Sequence, residues 1–181
     1  MKSAANLVLF KIVWGLSLVG VSLGSPWWGA AGLVIFLAWH YKTADHALAD
    51  FKLAGFAVAL GTIVDTINIH SGVLIYESAW PSTQIAPFWI MVLWANFALI
   101  INQSLKWMHG RYAFAAIIGA ICGPLGYIVG VKLNTASYGS GMLEFILVTG
   151  ITWAIAVPLL LYAAEQLKQS MVSRNFGTAI R

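Results

Sequence analysis

Residues 53–76 read LAGFAVALGTIVDTINIHSGVLIY, an apolar run that carries Asp65, Asn68 and His70 in its second half. A transmembrane helix needs about 20 predominantly apolar residues. A carboxylic acid near the middle of one costs roughly 2.5–3.5 kcal/mol on insertion scales. A chain that keeps an acid at such a place must enclose it with other spans. The requirement selects an all-α bundle of several transmembrane helices over a lone anchor or a soluble core.

Composition agrees. The 181 residues are 60% hydrophobic and only 9% charged, with a mean hydropathy of +0.83; soluble domains carry about 25% charged residues. The apolar runs predict six spans in one bundle over 1–169, near 5–24, 27–41, 53–76, 87–105, 112–131 and 142–163. A polar tail follows at 170–181. The start of the chain has the look of a secretory signal, but Lys11 interrupts its apolar stretch, so it reads as a retained first helix. Lys2, Lys42, Lys52, Lys106, Arg111, Lys168, Arg174 and Arg181 all fall on one side of a six-span arrangement, and only Lys132 falls on the other. By the positive-inside rule both termini are cytoplasmic. The net charge of +4 comes from residues scattered between apolar runs, so no nucleic-acid-binding patch is predicted. The single cysteine, Cys122, permits no intrachain disulfide.

Depth follows from a rise of about 1.5 Å per residue. Asp65 lies roughly 20 Å from the inner end of its span and Pro124 roughly 18 Å; Asn96 and Trp153 lie about 14 and 16 Å from the outer ends. These residues share a layer near the midplane. Thr62, Asp65, Asn68 and Gly72 form a polar stripe at helical spacing. Gly119, Gly123, Gly126 and Gly130 leave one face of span five bare, and Pro124 frees the Ala120 carbonyl. Ser17, Gly20 and Gly24 make a small-residue face suited to close helix contact.

Two readings of this layer stay open. In one, Asp65, Asn68, Asn96, Gly123, Pro124 and Trp153 line a ligand pocket. In the other, Asp65 is an interhelical hydrogen-bonding group. His70 lies about 140° around the helix from Asp65, so these two do not pair; His70 either stands hydrated near the headgroups or meets Glu144, or Glu77 and Tyr127, as an acid/base group. Lys11, about 10 Å deep, either snorkels to the inner surface or serves a polar role. No metal-binding motif, phosphate-binding loop, nucleophile elbow or dinucleotide fingerprint occurs, so neither a metal nor a cofactor is expected.

The runs Ala86-Pro-Phe-Trp-Ile-Met-Val-Leu-Trp-Ala-Asn-Phe97, Leu105-Lys-Trp107 and Gly119-Ala-Ile-Cys-Gly-Pro-Leu-Gly-Tyr127 with Gly130 resemble a bacterial family known as domain of unknown function 2878. Asn6-Leu-Val-Leu-Phe10 with Trp14, and Gly61 with Asp65, extend the resemblance along nearly the whole chain. His40 matches the family's histidine in span two, and Lys11 replaces an uncharged polar residue. The resemblance implies a small multi-pass protein of the bacterial inner membrane, in the company of enzymes that modify fatty acyl chains.

Three functions fit these observations. The first is binding: the bundle holds a membrane lipid or other apolar ligand, or presents it to a lipid-modifying enzyme. The second is an integral membrane enzyme using Asp65 with Asn96, or His70 with Glu144, as acid/base groups. The third is a proton-coupled small-solute transporter, for which inverted repeats would be the sign and none is visible. Glycine faces serve contacts within and between chains equally, so the oligomeric state stays open.

Overall fold

The computed structural model describes residues 2–178, with side chains through residue 170. It is all-α apart from one short strand pair. The helices are α1 (Lys2–Ser22), α2 (Trp28–Thr43), α3 (Ala47–His70), α4 (Phe88–Ile101), α5 (Tyr112–Lys132) and α6 (Met142–Thr178). Strand β1 (Leu74–Tyr76) follows α3, and β2 (Ala136–Tyr138) follows α5. Four helices, α1, α3, α5 and α6, are long and apolar enough to cross a membrane. Of the two others predicted to cross, α2 has 16 residues and α4 has 14.

Successive helices run in opposite directions, and side-chain bonds tie each end of the bundle together. At the end holding the start of α1, Lys2 donates to the Thr43 carbonyl and Ser104 donates to the Ser3 carbonyl. Asn102 bonds Asp50 at the same end. This is the end that carries most of the cationic residues.

The exterior of the bundle is apolar. Val34, Ile35, Ile63, Ile67, Ile117, Ile151 and Ile155 are all at least half exposed. Soluble monomers rarely expose contiguous apolar patches beyond a few hundred Å², and this surface suits acyl chains, in keeping with the four helices long and apolar enough to cross a membrane. Helix α4 is the exception. It is apolar all round and buried on nearly every side, as expected of a central helix. Helices α1, α2 and α3 pack around it, and α6 closes behind α3. Helix α5 packs chiefly on α6.

Small residues set the closest approaches. A Cβ at Gly29 of α2 would run into Ser17 of α1, and one at Gly20 would meet the Ser25 carbonyl and Trp28. The predicted small face of span one is therefore used at Ser17 and Gly20. Gly24 lies beyond the helix, at φ 77° in the turn to α2.

Two boundaries differ from the sequence reading. Span three was expected to run to Tyr76, but α3 ends at His70. Gly72 takes φ 72° and reverses the chain, a left-handed conformation that glycine adopts freely. Leu74–Tyr76 then pairs antiparallel with Ala136–Tyr138, Leu74 opposite Tyr138. The second difference is at the C-terminal end, where α6 continues through Thr178 instead of giving way to a tail at residue 170.

Candidate functional site

Asp65 is fully buried. Its carboxyl group accepts three hydrogen bonds: from the Tyr76 hydroxyl at 2.5 Å and the Tyr127 hydroxyl at 2.8 Å on Oδ1, and from Trp94 Nε1 at 2.7 Å on Oδ2. The donors come from β1, α5 and α4, so four elements meet at one carboxyl group. No ion pair to Asp65 occurs among the described residues. Three neutral donors take up most of a carboxylate's acceptor capacity, and they compensate the cost of burial that an unpartnered acid would carry.

Each donor reaches the acid for a local reason. The reversal at Gly72 folds β1 back so that Tyr76 points down onto α3. Trp94 fits because Gly61 lies opposite it; a Cβ at Gly61 would fall inside the indole ring. Gly123 makes the equivalent slot for Trp153 of α6. The Trp94 and Trp153 rings stack at 4.8 Å with 14° between their planes, and Phe97 meets Trp153 edge-on at 5.3 Å.

This aromatic wall backs a cavity of about 470 Å³, within the usual range for small-molecule sites. Tyr76, Trp94, Tyr127 and Trp153 line its inner side; Phe10, Lys11, Trp14 and Leu18 of α1 line one flank and Ile118, Cys122, Leu125 and Gly126 of α5 the other. Lys11, Cys122 and Leu125 are also exposed, so the cavity opens sideways between α1 and α5. Its lining is overwhelmingly apolar. Asp65 stands one layer behind it, reached through the groups it holds.

The other predicted residues fall as follows. Gly123 and Trp153 are at the cavity. Asn68 is buried beside Asp65 on the same helix. Asn96 is buried but does not bond Asp65; its Nδ2 donates to the Phe10 carbonyl at 3.0 Å. Asn6 does the reciprocal thing, donating to the Leu99 carbonyl at 3.1 Å, so two amides stitch α1 to α4. Pro124 is buried away from the cavity. The Ala120 carbonyl it releases faces Gly150 of α6, where a Cβ would lie 3.3 Å from the oxygen. Of the bare face, Gly119 and Gly123 seat Trp153, while Gly126 borders open space in the cavity. His70 bonds the Gln84 carbonyl at 3.0 Å, and Glu144 is exposed at the start of α6. Among the described residues no bond joins His70 to Glu144.

Sequence reasoning missed three parts of this arrangement. Tyr76 was read as the end of a span, though a Gly before the short β-branched and aromatic run Val-Leu-Ile-Tyr was a turn-and-strand signal. Trp94 carried no local sign of a role, and Tyr127, expected as a possible partner of His70, bonds Asp65 instead. A further buried cluster was also missed. His40 Nε2 lies 2.8 Å from Asp50 Oδ2, and Asp50 Oδ1 accepts from Asn102 at 2.6 Å. It joins α2, α3 and the C-terminal cap of α4 at the end of the bundle that holds the start of α1. Glu165 of α6 meets Tyr112, the Gly110 amide and His109 close by. No group of three or more His, Cys, Asp or Glu among the described residues is placed to hold a metal ion.

A family model described as Protein of unknown function (DUF2878) matches residues 3–159. The chain belongs to that family. The match spans α1 to α5 and about the first half of α6, so every side chain at Asp65 and every residue of the cavity lies within the DUF2878 region. No curated protein and no solved structure matches the chain.

Proposed function

We propose that this DUF2878 protein crosses the bacterial inner membrane six times and holds the apolar chain of a lipid in the cavity between α1 and α5. The cavity carries the reading: it is apolar, of ligand size and open toward the side where acyl chains lie. In this reading Asp65 does not touch the ligand. It fixes Tyr127, Tyr76 and Trp94, so that the inner wall is rigid before anything binds, which lowers the ordering cost of binding. The family's company with fatty-acyl-modifying enzymes, implied by the resemblance, supports a chain presented to such an enzyme.

The short central helix is compatible with six crossings. At about 1.5 Å per residue, α4 spans only about 21 Å of a hydrocarbon core about 30 Å thick. Because it is sheathed by protein, its irregular ends need not face lipid. The β1–β2 pair and the segment before α4 fill the remaining depth on the outer side.

One observation favours a second reading. Tyr127 lines the cavity and its hydroxyl bonds Asp65, so a phenol stands between the cavity and a carboxylate with which it can exchange a proton. An acid/base enzyme acting on the bound lipid would use Tyr127 with Asp65, in place of Asp65 with Asn96.

Native mass spectrometry of the full chain, released from detergent, tests the binding reading. The expected result is a retained lipid mass on the wild type that is lost in Gly126→Leu, which fills the cavity. Equal lipid retention in both proteins would refute it. Acyl-chain profiling of a deletion strain complemented with wild type or Tyr127→Phe separates the two readings: only the enzyme reading expects Tyr127→Phe to behave like the deletion.

A further inference from the structure

Among the described residues, Lys11 is the one charged residue in the lining of the cavity. It lies nine residues beyond Lys2, roughly 14 Å further along α1, at a depth where a cation is costly. Its ammonium group sits 5.5 Å from the ring centres of both Phe10 and Trp14, a cation–π arrangement that holds it at the cavity mouth. The chain has six acidic residues, and none serves it. Asp45 lies 4.0 Å from Lys2. Asp50 is held by His40 and Asn102, Asp65 by its three donors, and Glu165 by Tyr112 and His109. Glu77 and Glu144 belong to the opposite end of the bundle.

We propose that Lys11 is the headgroup contact of the cavity, and that the ligand is an anionic amphiphile. Its carboxylate or phosphate oxygen accepts from the Lys11 ammonium group at the mouth, and its acyl chain extends inward toward Trp94 and Trp153. This rests on the lipid-binding reading above and adds the charge of the ligand to it. The charge complementarity is specific: the mouth offers a cation with no acid from the protein, and the interior beyond it offers apolar and aromatic surface. A neutral chain would satisfy the interior and leave the cation unpaired. A small inorganic anion would satisfy the cation and leave the interior empty.

Oleate and phosphatidylglycerol supply the anion from two sources, a free fatty acid and a membrane phospholipid. Monoolein is the neutral single-chain control. Each is titrated into the full chain in a nonionic detergent, and bound fractions are read by native mass spectrometry for wild type, Lys11→Gln, Lys11→Arg and Gly126→Leu. At least one anionic probe should bind more tightly than monoolein to the wild type. Its affinity should fall about tenfold or more in Lys11→Gln, the change expected on losing one charge-assisted hydrogen bond. Lys11→Arg should restore it. The probe that shows this pattern identifies the source. If Lys11→Gln weakens neither anion while Gly126→Leu displaces all three probes, the cavity holds lipid but Lys11 merely snorkels, and the inference is overturned. If Gly126→Leu changes nothing, the lipid reading fails as well.

Discussion

At the scale of single residues, Asp65 and its three donors form a set in which each member is satisfied by the others. Removing the acid and removing a donor are therefore unequal changes. Asp65→Ala leaves two phenols and an indole without their acceptor. Each orphaned buried donor costs about 1–3 kcal/mol in soluble proteins, though hydrogen bonds between membrane helices average about 0.6 kcal/mol. Tyr76→Phe removes one donor and leaves the acid with two. The expected loss of stability is thus about three times larger for Asp65→Ala, whichever scale applies, and thermal unfolding in detergent followed by tryptophan fluorescence measures it. Equal losses would mean that Asp65 is not the common acceptor. The His40–Asp50 pair gives a comparable contrast. Asp50→Asn keeps an acceptor for Asn102 and a group able to bond His40, whereas Asp50→Leu orphans both, so the leucine variant should unfold at the lower temperature.

At the scale of elements, the glycines of α3 and α5 determine how far a neighbouring aromatic can enter. Gly61 and Gly55 lie on the same helix but differ in surroundings. A Cβ at Gly61 would occupy the Trp94 ring, while one at Gly55 would meet nothing within 4 Å. Gly61→Ala should cost about 1–3 kcal/mol by overpacking and should pull Trp94 away from Asp65. Gly55→Ala should be neutral or stabilising by up to about 1 kcal/mol, because alanine is the better helix former. The paired unfolding curves, together with the tryptophan emission maximum, check this. The periodicity of these glycines was visible in the sequence. Their division between seating Trp153 and bordering the cavity was not, because it depends on how α5 is rotated against α6. That rotation depends on groups 30 or more residues away, Trp153 among them.

At the scale of the whole molecule, the alternating helices place residues 45 and 106 at one end and residues 78 and 137 at the other. With Cys122 first replaced by serine, single cysteines at these four positions should split into two classes in intact cells. Those at 78 and 137 should react with a membrane-impermeant maleimide, and those at 45 and 106 only after the membrane is opened. Reaction of all four from one side would exclude six crossings. The apolar exterior and the cationic end were legible from composition and charge order alone, since a bilayer selects on length, hydropathy and the placement of Lys and Arg. Helix α4, although short, was also found by its apolar run.

What the amino-acid sequence determined by itself was the apolar character of the surface, the number and order of the helices, and the need for Asp65 to be enclosed. Those properties are local: each is a sum over about 20 neighbouring residues measured against the thickness and polarity of a membrane. The tertiary structure alone decided which groups enclose the acid. Tyr76, Trp94 and Tyr127 lie 11, 29 and 62 residues beyond it, on three elements whose rotations are fixed only when α4 is surrounded and β1 folds back at Gly72. The sideways cavity has the same origin, because a space between α1 and α5 exists only where two helices distant in sequence are held apart by the partners each has already chosen.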